Sequence, residues 1–286
     1  MTQQRSANDA ADVVAAVGHP SGAHDEEHPP VAPSLLPGIR NVPLLAPLSW
    51  LRRAIADFRA NPAASLFFGF CYAAMGLAVT LVFENAYEYT SALMSGFLLL
   101  GPFLAMGLYE LSRERARGRR AAFADTLTIW RRNAGNIALF ALVLTVIFLV
   151  WARASLIMFA LFYTSGMPNL TGFLSQVLSL DNVDFLLVYF GVGLIFATLV
   201  FAVSVVSIPM MLDRDQDAVT AMLASIATLT RNPGACLLWA IIIALATSVG
   251  FLSFHLGLVV LMPLIGHATW HAYTDLIAPV AAGENA

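Results

Sequence analysis

Three short junctions recur along the chain: Ala60-Asn61-Pro62-Ala63, Arg132-Asn133-Ala134-Gly135 and Arg231-Asn232-Pro233-Gly234. Each separates an amphipathic stretch from a long apolar one. Before the first, Leu48, Leu51, Ile55 and Phe58 fall at three- and four-residue spacing while Arg52, Arg53, Asp57 and Arg59 take the other face. That pattern, with Trp50 as anchor, predicts an interfacial helix over 47–59. Asn61 is placed to cap the next helix through its side-chain oxygen, and Pro62 suits a first turn, where no amide hydrogen is needed. The pattern returns over 121–132, with Phe123, Leu127 and Trp130, and over 219–230, with Met222, Leu223, Ile226 and Leu229.

Outward from the junctions, the apolar runs predict membrane spans. The first covers Ala64 to Phe83 and the second Ser91 to Leu111. A third runs from Gly135 toward Tyr163, a fourth over Phe185 to Leu212, a fifth over Ala235 to Phe251 and a sixth over Leu256 to Leu276. A hydrocarbon layer of ~30 Å needs about 20 apolar residues per helix, so a chain of 286 residues has room for six. With 59% hydrophobic and 12% charged residues and a mean hydropathy of +0.75, the composition is that of a polytopic membrane protein. The expected fold is all-α and integral to the membrane: six transmembrane helices as three repeated hairpins, each preceded by a cytoplasmic interfacial amphipathic helix. Residues 1–45 read as a disordered cytoplasmic tail, 46–277 as the membrane domain and 278–286 as a short C-terminal tail. The tail carries His19, His24, His28 and Asp25-Glu26-Glu27, a solvated tract by composition, and no secretory signal pattern. The segment from Thr164 to Asp184 is the longest outer loop, with a short surface helix expected over Leu170 to Leu178.

All 15 basic residues are Arg. Fourteen lie in the tail, the basic connections or the amphipathic stretches, and only Arg153, beside Trp151, falls near the far side. By the positive-inside rule both termini are cytoplasmic. The net charge of −3 implies no nucleic-acid partner. Cys71 and Cys236 sit at different membrane depths, which argues against a disulfide.

Three spans contain a proline, and each proline leaves the carbonyl four residues earlier (Leu98, Val205, Val259) without its helical donor. Aligned on Pro102, Pro209 and Pro263, the positions four and eight residues on are Met106 and Glu110, Asp213 and Asp217, and His267 and His271. Residues four apart share a helix face, so spans packed round one axis would gather these side chains near their cytoplasmic ends. Glu110, Asp213, Asp217, His267 and His271 then form a candidate polar cluster suited to a divalent metal or a proton relay. The competing reading makes them ordinary polar residues at the water boundary. No Gly-x-Ser-x-Gly elbow, phosphate-binding Gly-Lys-Ser/Thr loop or His-Glu-x-x-His pair occurs, so no cofactor or catalytic residue is implied by motif. A haem-copper catalytic centre draws His ligands from several helices, whereas His255, His267 and His271 share one.

The segments from Gly101-Pro102-Phe103 to Arg113, from Ser204 to Asp215 through Pro209, and Gly266-His267-Ala268-Thr269-Trp270-His271-Ala272-Tyr273 resemble, in this order, a family of bacterial membrane proteins known as domain of unknown function 2189. The resemblance covers about Leu36 to Leu276. Some members are labelled cytochrome c oxidase; the resemblance implies an inner-membrane location and no established activity or site residue. The leading expectation is a non-catalytic membrane protein, contacting the lipid bilayer and either another membrane protein or a second copy, that packs against or assists assembly of a membrane complex such as a respiratory one. Small residues such as Gly69, Gly76, Gly96, Gly191 and Gly193 permit the close helix contacts this needs. A transporter or channel for a small solute, ion or lipid is the alternative, and metal or haem binding through His267 and His271 a third.

Overall fold

The structure is a computed structural model that describes residues 36–85, 90–162 and 183–279. The tail up to residue 35 and the expected outer helix at 170–178 lie outside the described residues. Within them the chain is helical, with an isolated antiparallel bridge between Ile39 and Ile277 and no strand. The helices are α1 (Ala46–Ala60), α2 (Pro62–Asn85), α3 (Thr90–Ala116), α4 (Phe123–Thr128), extended by a tighter turn over Ile129–Asn133, then α5 (Ala134–Phe162), α6 (Val183–Ser204), α7 (Ser207–Arg214), α8 (Ala218–Arg231), α9 (Pro233–Leu252) and α10 (Leu258–Leu276).

Four stretches are long and apolar enough to cross a membrane: Pro62–Asn85, Phe123–Phe162, Val183–Arg214 and Pro233–Leu252. Their outer surfaces carry Phe70, Leu187, Leu194, Ile195 and Leu245, all more than 60% exposed, a density of bare apolar side chains that suits lipid rather than water. The protein is therefore an all-helical membrane protein. Two expected spans are not among the four: the second, on α3, and the sixth, on α10. The second half of α10 carries His267, Thr269, His271, Thr274 and Asp275, and twelve of its 19 residues are buried against α1, α2, α3 and α9 rather than facing lipid.

The amphipathic helices turn part of their bulky apolar residues outward, while Leu51, Trp130, Met222 and Leu229 pack against the core. Leu48 and Ile55 on α1, Phe123 and Leu127 on α4, and Leu223 and Ile226 on α8 are exposed. The inward faces are built from smaller residues: Ala46 and Ala54 beside Trp50 and Asp57 on α1, and Ala218, Ala221, Ala224, Ser225 and Thr228 on α8. A helix lying in the headgroup layer has reason to expose its large side chains, and small residues let backbones approach. Trp50 meets Trp239 edge to face, centroids 5.7 Å apart, tying α1 to α9.

Two details of the chain path differ from the sequence expectation. Residues 36–45, placed with the tail, are held in the fold: the Arg40 amide donates to Leu276 O at 2.8 Å and the Ala278 amide to Gly38 O at 2.8 Å. Two of the junction asparagines brace segments, and Asn61, expected to cap the next helix, makes no side-chain hydrogen bond among the described residues. Asn232 makes no side-chain cap to α9; its Nδ2 donates to Arg40 O at 3.0 Å and its Oδ1 accepts from the Val42 amide at 2.9 Å. Asn133 Nδ2 likewise donates to Met211 O and Gln216 O, at 3.1 and 2.9 Å.

The carbonyl freed by Pro263 also has a clear environment. Val259 O faces Gly69 so closely that a Cβ there would stand 1.9 Å from it. Only a glycine lets α2 enter the notch that the proline makes in α10. Gly69 and Gly76 are thus spent on contacts inside the chain.

Candidate functional site

The polar half of α10 sits where α1, α2 and α3 meet, and four turns of side-chain chemistry converge there. His267 is fully buried, its Nε2 2.9 Å from Ser65 Oγ on α2 and its Nδ1 2.8 Å from Ser112 Oγ on α3. The Ser65 hydroxyl donates to Asn61 O at 2.9 Å, so it accepts from the ring; a neutral His267 then carries its proton on Nε2 and takes the Ser112 hydroxyl at Nδ1. Both ring nitrogens are occupied by this arrangement.

One turn on, His271 Nε2 lies 2.8 Å from Asp57 Oδ2, and the other oxygen of Asp57 pairs with Arg115 of α3. Burial pushes the Asp57 carboxyl up, but hydrogen bonds from His271 and Arg115 and the charge at His271 outweigh it and hold it below the usual carboxylate range. Asp275, a turn further, accepts from Trp50 Nε1 at 2.9 Å and takes both ends of the Arg53 guanidinium. On the neighbouring face Tyr273 donates to Asp213 Oδ2 at 2.9 Å and accepts from Arg214 Nε at 2.9 Å, which docks α7 on α10.

The five residues singled out by the proline alignment therefore do not form one cluster. His267 and His271 share the α10 face. Asp213 belongs to the Tyr273 and Arg214 group. Glu110 is buried in an ion pair with Arg113, Nε to Oε2 2.8 Å, one turn along α3. Asp217 is exposed and caps α8, its Oδ1 accepting from the Thr220 amide at 2.9 Å; that amide and the Thr220 hydroxyl hold its carboxyl low. Sequence reasoning missed Asp57, Ser65, Ser112 and Arg115. Asp57 was assigned to the solvated face of its helix. The signal lay in the opposite register, Ala46, Trp50, Ala54 and Asp57, where small residues mark the contact side.

Among the described residues no group of three or more His, Cys, Asp or Glu side chains is arranged to hold a metal. A cavity of about 340 Å3 reaches Glu110, between the end of α3 and α4, but neither Asp213 nor His271 lines it. Chemically, the cluster orients and neutralises its own members and joins four helices at one end of the bundle.

No curated protein and no solved structure matches the chain. Of the three motif segments, the first lies within 90–213, the second begins within it and runs on to Asp215, and the third, over Gly266 to Tyr273, lies beyond it. Residues 90–213 match the model of the family DUF2189, described as predicted integral membrane protein.

Proposed function

We propose that this chain is a non-catalytic protein of the bacterial inner membrane, both termini cytoplasmic, that packs against a larger membrane complex and assists its assembly; a respiratory complex is the first to test. In this reading α3 and α10 complete six spans with the four apolar stretches, as three hairpins each led by an interfacial helix. The observation that carries it is a contrast. The ionisable groups of the α10 cluster are paired inside the chain, whereas Val183–Arg214 has only 6% of its apolar window buried. Between α5 and α6 lies an apolar cavity of about 490 Å3 lined by Phe148, Trp151, Gly193, Phe196, Ala197 and Phe201, among others. Its walls offer bulk and a gap, the features of a surface that receives another helix.

Purification from native membranes in mild detergent tests the proposal. A partner should co-elute at fixed stoichiometry, and Ala197→Trp, which fills the cavity from an exposed position, should release it while leaving the melting temperature unchanged. Elution as a single monomeric species from native membranes would count against it.

A further inference from the structure

The cavity of about 340 Å3 at the end of α3 holds charge that the fold leaves unused. Glu110, Glu114, Arg120, Asp125, Thr128 and Arg132 line it. Two of the carboxylates are already neutralised: Glu110 by Arg113, and Glu114 by Arg119 at 2.6 and 2.7 Å. The side chains of Arg120, Arg132 and Asp125 make no hydrogen bond or ion pair among the described residues, and Arg132 acts on Glu110 only through its charge. Two guanidiniums and one carboxylate thus face a common space of the size that takes a small ligand.

We propose that this cavity binds the headgroup of an amine-bearing phospholipid, with Arg120 and Arg132 on the phosphodiester and Asp125 on the ammonium. Guanidiniums match phosphate oxygens through paired N–H donors. A purely anionic headgroup would set its charge beside Asp125 without compensation, whereas an ammonium compensates it. An apolar cavity of about 360 Å3, lined by Pro62, Ala63, Ala64, Phe67 and Phe123, also touches α4. One short helix therefore contributes to a charged cavity and an oily one, and an amphiphile is the ligand that suits both. The site is independent of the α5 and α6 surface and of any partner seated there.

The full chain, stripped of lipid in detergent and mixed with vesicles of phosphatidylethanolamine, phosphatidylglycerol or phosphatidylcholine, should retain the ethanolamine lipid in native mass spectrometry. Retention should exceed that of the other two about tenfold, a factor that one charge-assisted contact supplies. Arg120→Gln with Arg132→Gln should lower ethanolamine-lipid retention by roughly tenfold or more, and Asp125→Asn should erase the preference over the glycerol lipid while keeping phosphate-dependent retention. All three side chains are exposed, so an unchanged melting temperature will certify the fold of the variants. Equal retention of the three lipids by the unaltered chain, or full retention by the double variant, would overturn the proposal. Displacement by free phosphoethanolamine at the lipid's own concentration would also overturn it, by making the ligand a soluble one.

Discussion

Asp57→Ala should destabilise the bundle measurably, and the size follows from what the carboxylate touches. Its side chain is 3% exposed, while its partners differ: His271 is 11% exposed and Arg115 is 42% exposed. Arg115 can turn to water, so its pairing is discounted. The loss falls on the bond from His271, and a charge-assisted hydrogen bond is worth about 1.5–3 kcal/mol. A total of about 2–3 kcal/mol lowers the melting temperature by roughly 5–10 °C at about 2–4 °C per kcal/mol. Asp57→Asn keeps an acceptor for His271 and should cost about half as much. Thermal unfolding in mild detergent, followed by tryptophan fluorescence from pH 7.5 down to 3, is the assay. Because the folded carboxyl is held below its unfolded value of about 3.9, its contribution is fully present above that pH and is lost as pH falls through the folded value. The alanine variant should therefore be less stable than the unaltered protein throughout pH 7.5 to 5, and the margin should shrink only below about pH 4. A variant melting within about 1 °C of the original, or a margin already gone at pH 6, would refute this account of the cluster.

Gly69→Ala should destabilise more than Gly76→Ala, since the first Cβ meets the Val259 backbone at 1.9 Å and the second meets the side-chain atoms of His255 and Leu258 at 2.9 and 3.0 Å; equal melting temperatures would refute the notch at Pro263. Asn232→Ala removes the bonds to Arg40 and Val42, and cleavage within residues 36–45 by a added protease should accelerate roughly tenfold, about 1.4 kcal/mol of local opening; unchanged cleavage would show that the bonds do not hold the segment. His267→Ala with His271→Ala should leave bound metal and the visible absorption spectrum unchanged, because both nitrogens of His267 and one of His271 already have protein partners; a lost metal or band would revive a ligand role.

How much of this was legible in the chain depends on the kind of signal. Long apolar runs report lipid contact directly, and α2, α5, α6 and α9 follow them. α10 was harder, since a hydropathy pattern cannot tell a helix against lipid from one enclosed by other helices, and Pro263 and His267 fit either. The amphipathic stretches were recognised by their bulky residues, yet several of these, such as Leu48, Ile55, Leu223 and Ile226, are exposed, and the fully packed positions are the quieter ones, as in Ala218, Ala221, Ala224 and Ser225. Spacing placed His267 and His271 on one face correctly. Their partners on α1, α2 and α3 depend on contacts 155 to 214 residues apart in sequence, which no local pattern encodes.

The junctions themselves acquire a different role once the braces are known. Asn232 ends the amphipathic helix α8 and grips residues 40–42, the chain that leads into α1. Asn133 ends the stretch carrying α4 and grips Met211 and Gln216, the chain that leads into α8. If each asparagine holds the entry to another amphipathic helix, Asn61, at the end of α1, is left with the entry to α4. There its side chain makes no hydrogen bond among the described residues, and it lines the apolar cavity beside Phe123 instead. The fold thus has two clasped entries and one open, and the open one adjoins the unpaired Arg120, Asp125 and Arg132. A clasp absent from one position of three leaves open space beside the cavity proposed for the headgroup.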